Sequence, residues 1–93
     1  MITAIVHVDT AVDRIPEAAA EIADLPGVSE VYSVTGDTDL VAVVRVPEHE
    51  GLADVIADRI SKVPGVRATR TYLAFRAYSR HDLDAAFALG AED

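Results

Sequence analysis

Val34-Thr-Gly-Asp-Thr-Asp-Leu-Val-Ala-Val-Val-Arg45 sets a polar turn, with one glycine and two aspartates, directly before a valine-rich run. Val, Thr and Tyr dominate Val28 to Thr35, and Val dominates Leu40 to Val46, so both flanks read as β-strands. Gly36 can supply the positive φ that a tight connection requires. The stretch predicts neighbouring antiparallel strands joined at one sheet edge, where Asp37 and Asp39 offer carboxylates. Such carboxylates also sit in turns for local hydrogen-bonding reasons, so this pattern alone describes a hairpin before it describes a ligand site.

Working outward, Ile2, Ala4, Val6 and Val8 alternate with Thr3, Ile5 and His7, the period of a strand. From about Asp13 to Asp24, Ile15, Ala18, Ala19, Ile22 and Leu25 recur at helical spacing, Pro16 falls in the first turn, and Pro26-Gly27 ends the run. A second helix over about Glu48 to Lys62 carries Leu52, Val55, Ile56, Arg59, Ile60 and Val63 on one stripe and ends at Pro64-Gly65. A fourth strand is predicted over Val66 to Tyr78. Leu25-Pro-Gly-Val-Ser-Glu-Val-Tyr32 is echoed by Val63-Pro-Gly-Val-Arg-Ala-Thr-Arg70, so one strand-helix-strand unit occurs twice. Two such units with right-handed crossovers give an α+β, ferredoxin-like βαββαβ domain: a four-stranded antiparallel sheet with both helices on one face. Residues 1–78 form this domain. For 79–93 we expect a tail with a short helix over Asp82 to Leu89, bearing Leu83, Ala86 and Phe87 on one side.

Two helices cover one face of such a sheet. Leu40, Ala42, Val44 and Val46 share one parity of the third strand, but Val41 and Val43 occupy the other, and the fourth strand is likewise apolar on both, with Tyr72, Ala74 and Tyr78 against Leu73, Phe75 and Ala77. Covering a bare face of several hundred Å2 at ~25 cal/mol per Å2 favours a homodimer formed sheet to sheet.

A length of 93 residues fits one domain, and a 51% hydrophobic content with few aromatics calls for a core of Val, Ile, Leu and Ala. The absence of cysteine excludes disulfides, thiolate metal sites and cysteine nucleophiles. No apolar run approaches the roughly 20 residues of a membrane span and no basic leader opens the chain, so the expected compartment is the cytoplasm. Sixteen acidic residues against 8 basic ones give a formal charge of −8, which speaks against direct nucleic-acid binding. Arg67, Arg70, Arg76 and Arg80 form an uneven stripe, read as a solvated face or as partners for carboxylates of another subunit.

His7, His49 and His81 lie on separate elements without ligand spacing, so neither a metal site, a cofactor nor a catalytic pair is expected. His7 reads as a core or interface residue, and Tyr32, Tyr72 and Tyr78 as packing residues. The alternative reading is a small dimeric ferredoxin-like enzyme of the monooxygenase or isomerase type, with a pocket between sheet and helices.

Leu25-Pro-Gly-Val-Ser-Glu-Val, Val34-Thr-Gly-Asp-Thr-Asp-Leu and Val63-Pro-Gly-Val-Arg-Ala-Thr-Arg-Thr resemble the C-terminal effector-binding (RAM) domain of the Lrp/AsnC, or feast/famine, transcriptional regulators over roughly residues 1–78. The family's Gly-x-x-Asp turn followed by an apolar residue falls on Gly36, Asp39 and Leu40, and its Thr-x-Thr on Thr69 and Thr71. The resemblance implies no enzyme but a module that binds small molecules, typically amino acids, between dimers that assemble into higher oligomers. It implies a ligand site at Thr35, Gly36, Asp37, Asp39, Leu40, Thr69 and Thr71. An α-amino acid needs a carboxylate facing its ammonium and N–H or hydroxyl donors facing its carboxylate, and these residues supply both. Regulators of the family carry an N-terminal helix-turn-helix, whereas this sequence starts at the first effector-domain strand. The expectation is a stand-alone form that senses a metabolite or joins a full-length Lrp/AsnC regulator.

Overall fold

The structure, a computed structural model, describes residues 1–78; the helix expected over Asp82 to Leu89 lies outside the described residues. Strands β1 (Ile2–Thr10), β2 (Val28–Ser33), β3 (Leu40–Val46) and β4 (Val66–Leu73) form one sheet in the order β2-β3-β1-β4, with every pair antiparallel. Helix α1 (Ile15–Ala23) links β1 to β2, and α2 (His49–Ala53) opens the link from β3 to β4. This is the expected βαββαβ arrangement. β1 sits at the centre, where Val6 pairs with Ala42 on one side and Thr71 on the other.

Strand alternation sorts the residues of β1 and β3. Ala4, Val6 and Val8 of β1 and Leu40, Ala42 and Val44 of β3 are fully buried and share one core with Ala18 and Ile22 of α1 and with Ile60 after α2. Both helices therefore cover the same face. The opposite face carries Ile5, His7, Val41, Val43, Tyr32 and Tyr72, in register through Ile5 opposite Val43 and Tyr72, and His7 opposite Val41 and Arg70. Val41 and Val43 are half-buried, while Tyr32 and Tyr72 are exposed; no described element lies over this face.

α1 begins after a 3-10 turn at Val12–Arg14, with Pro16 in its first turn, where the absent N–H costs nothing. The run from α2 onward differs from a plain α-helix. It becomes π-helical over Asp54–Arg59 and 3-10 over Ile60–Lys62, the Ile60 N–H reaching the carbonyls of both Val55 and Ile56 and Ser61 Oγ donating to Ile56 O at 2.9 Å. The buried anchors explain this, since Val55 and Ile60 are five residues apart, a spacing that an α-helix turns away from itself and a π turn brings back to one side. Both crossovers then turn on a left-handed glycine, Gly27 at φ 93° and Gly65 at φ 97°.

Two strands are shorter than their sequences suggest. β2 stops at Ser33 and β4 at Leu73, opposite Ala4 of β1; one further bond, from the Ala74 N–H to Thr3 O at 2.8 Å, follows, and residues 74–78 belong to no strand. Among the described residues, no helix is long and apolar enough to cross a membrane.

Candidate functional site

The connection from β2 to β3 is a loop of residues 34–39 that folds against the C-terminal end of β1. The Asp39 N–H donates to Val8 O at 3.3 Å, and the Val34 N–H donates back to Asp39 O at 3.1 Å. One carboxylate oxygen of Asp39, Oδ2, accepts the Thr10 N–H at 2.9 Å. Half of the expected ammonium acceptor is thus spent on the fold. Gly36, at φ 126°, has open space where a Cβ would stand, so its requirement for glycine is one of backbone conformation and not of room.

Thr38 escaped the sequence reading. It is buried, and its Oγ1 donates to Val8 O at 3.2 Å, tying the loop to β1 through a second bond beside that of Asp39. The only sequence signal was a threonine next to a strand start, where hydroxyls commonly take backbone partners. Leu40 is fully buried and anchors the loop in the core, whereas Thr35, Gly36 and Asp37 are exposed at the tip.

Thr69 and Thr71 pair with Val8 and Val6 from the other side of β1. Leu40 pairs with the same Val8, so the loop and Thr69 lie at one end of the sheet but two strand spacings apart, roughly 10 Å. Thr69 is half-buried and Thr71 exposed. One chain brings the seven predicted residues to a common sheet end, on the two strands that flank β1 and the loop that leads into one of them.

Polar chemistry concentrates at that end. A bulge shifts the β1–β4 register between Asp9 and Thr10, and Asp9 Oδ1 and Thr10 Oγ1 are buried without a hydrogen-bond partner. Asp9 Oδ1 lies 3.7 Å from an Arg70 guanidinium nitrogen. On the open face, Tyr32 donates its hydroxyl to Glu30, whose carboxylate raises the Tyr32 pKa, and Glu30 also lies 3.7 Å from Arg45. His7 packs edge-on to Tyr72, with ring centroids 5.0 Å apart. His49 starts α2, and His81 lies outside the described residues.

A surface cleft of about 360 Å3 lies at the opposite end of the sheet, among Pro26, Gly27, Val46, Pro47, Asp54 and Arg59. None of the predicted site residues lines it. No cluster of His, Asp and Glu suited to a metal ion exists among the described residues.

Comparison with known proteins places this geometry. A solved protein from Thermus thermophilus, TTHA0845, is 50% identical, superposes with a TM-score of 0.81, and is covered in full by 86% of this chain. The HTH-type transcriptional regulator LrpA1 of Halobacterium salinarum is 37% identical over 65 residues, which are 70% of this chain and 46% of the regulator. The chain thus spans about half the length of such regulators. The feast or famine regulatory protein Rv3291c of M. tuberculosis, solved with L-methionine, is 29% identical with a TM-score of 0.70, and the match covers 86% of this chain and 54% of that one. The model of the Lrp/AsnC ligand binding domain, a regulatory and non-enzymatic module, matches residues 3–83. With the βαββαβ sheet and the Gly36-to-Asp39 loop in place, this chain belongs to the Lrp/AsnC ligand binding domain family.

Proposed function

We propose that this chain is a ligand-sensing regulatory domain that binds a small molecule, an amino acid by its chemistry, at the loop end of the sheet between subunits. The carrying observation is the loop itself: its backbone is fixed to β1 by Asp39 and Thr38, leaving the Thr35-Gly36-Asp37 tip exposed to a second molecule. Asp39 Oδ1 or Asp37 takes the ammonium, and backbone N–H groups near Gly36 and the hydroxyls of Thr35, Thr69 or Thr71 take the carboxylate. The roughly 10 Å between loop and Thr69 argues that one subunit lends the loop and another the threonines. The complex of Rv3291c with L-methionine supports the ligand class.

The subunit in this reading is a dimer closed over the open face, whose Ile5, Val41 and Val43 centre is flanked by tyrosines and by the Arg45–Glu30 and Arg70–Asp9 pairs. An apolar centre with a charged rim is the usual anatomy of a protein interface. Dimers would then assemble further, and the domain would act on transcription by altering the assembly of full-length Lrp/AsnC regulators.

Thermal melting against each proteinogenic amino acid tests the ligand. A ligand present at 100 times its dissociation constant adds about 2.7 kcal/mol to native stability, a shift of roughly 10–20 °C for a domain of this size. No shift with any amino acid at millimolar concentration would remove the amino-acid assignment.

A further inference from the structure

Beyond β4 the chain leaves the sheet as an arm of residues 74–78, Ala74-Phe-Arg-Ala-Tyr78, and this arm is apolar where a solvated linker would be polar. Phe75 is 96% exposed and Tyr78 71%, with Leu73 at the arm's root 52% exposed. The sequence has only two phenylalanines, and it places one of them almost wholly in water. A buried phenylalanine or tyrosine removes about 150–250 Å2 from solvent, so two of them left out represent a contact surface without a partner among the described residues.

We propose that the arm clasps a second copy of this chain, with Phe75 and Tyr78 as its anchors at the rim of the partner's open sheet face. This rests on the sheet-to-sheet dimer proposed above and adds what holds it. Three observations select a second copy as the occupant. First, the arm continues from Tyr72, which stands on the open face opposite Ile5, so the arm leaves from the edge of that same surface. Second, five extended residues reach roughly 16 Å, more than the ~10 Å between packed sheets, so Tyr78 can cross to the opposite subunit. Third, the arm's charge is Arg76, which forms no ion pair among the described residues, while the chain as a whole carries −8. A basic arm is attracted to an acidic copy of its own chain.

The arm's anchors also explain the length of the β-rich run that the strand pattern extended to Tyr78. Phe75 and Tyr78 carry strand-type side chains, yet they lie beyond the last β1–β4 pair, Ala4 with Leu73, and stay exposed, available to pack on another chain.

The test places a photoreactive group in the arm and asks which chain it meets. Protein carrying Phe75→p-benzoylphenylalanine in heavy-isotope form is mixed with unlabelled wild type, allowed to exchange, irradiated and digested. The expected products join heavy and light peptides. Cross-links confined to one isotope form, running to residues 79–93 of the same chain, would overturn the clasp by showing an arm folded back at home. In parallel, Phe75→Ser with Tyr78→Ser should raise the dimer dissociation constant by about tenfold or more in sedimentation, with the circular dichroism of the domain unchanged. An unchanged dissociation constant overturns the clasp and leaves the dimer standing, whereas a wild type that sediments as a monomer at every concentration overturns the dimer and the clasp together.

Discussion

Val6 and its neighbours Ile5 and His7 sit side by side on β1, yet Val6 is fully buried beneath the helices while Ile5 remains 38% exposed on the opposite face. The covered face is built from small aliphatics at every second position, Ala4, Val6 and Val8 against Leu40, Ala42 and Val44. The open face mixes Ile and Val with Tyr32, Tyr72 and His7, and its charges are paired at the margin. The difference teaches that one sheet serves two ends: the first face is complete within one chain, and the second has the composition of a surface made to meet another molecule.

The largest effect should come from placing the same charge on each side. Val6→Asp buries a carboxylate with no partner and should cost more than about 5 kcal/mol, enough to abolish cooperative urea unfolding in a domain of this size. Val41→Asp stands directly across the strand pair from His7 on the open face and should leave the far-ultraviolet spectrum intact. Its loss is expected in sedimentation, as a dimer dissociation constant raised about a hundredfold or more. Equal damage to the fold from both substitutions would erase the distinction between the faces.

The loop end sharpens the comparison, because there the fold and the proposed site share a residue. Asp39→Ala should destabilise the ligand-free protein by about 1–3 kcal/mol by stranding the Thr10 N–H, as chemical denaturation would show. Asp39→Asn keeps an acceptor and should cost about 1 kcal/mol in stability, yet weaken an ammonium-bearing ligand by ~1.5–3 kcal/mol in calorimetry. Equal affinity of Asp39→Asn and wild type would assign Asp39 to the loop alone. Gly36→Val meets no neighbour but strains the backbone at φ 126°, an expected cost of about 1–3 kcal/mol by the same denaturation measurement.

The smallest effect lies on the exposed rim. Glu30→Gln should lower the Tyr32 pKa, because the hydrogen bond and the negative charge of Glu30 are the main causes of its rise, and an ultraviolet titration of the phenol reads this directly. The sign of the linkage is fixed: a folded-state pKa above the unfolded one contributes stability while the phenol is protonated, and that contribution disappears as pH rises through the raised value. An unchanged phenol titration in Glu30→Gln would remove the Tyr32–Glu30 bond from the description of the open face.

The sheet was legible because strand alternation, β propensity and helical spacing are local signals, carried by Ile2 to Val8, Leu40 to Val46 and Ile15 to Leu25 in turn. The end of β4 was not, since β propensity runs on to Tyr78 whereas the pairing with β1 ends at Leu73 opposite Ala4, a limit no local signal marks. The π turn after Ala53 was hidden for a related reason: Leu52, Val55, Ile56 and Ile60 satisfy a helical stripe, and only the three-dimensional demand that Val55 and Ile60 both face the core selects the wider winding. At the loop, Gly36 and Asp39 were visible as residue types. That Asp39 bonds the Thr10 N–H, and that Thr38 bonds Val8, depends on β1 lying beside β3, a neighbour some thirty positions away in the chain.

The central place of β1 also has a kinetic side. Ala4 pairs with Leu73, so the first of these four strands to leave the ribosome is completed by the last, and neither of its two neighbours exists when it emerges. Closing loops of that length is slow compared with forming α1, which places the expected folding time in the millisecond range or longer, set by chain topology more than by helix propensity. Until β4 arrives, the apolar edge of β1 stays unpaired on every nascent chain. In a polysome that edge faces identical edges, and the synthesis of this small domain is the moment at which its solubility is most at risk.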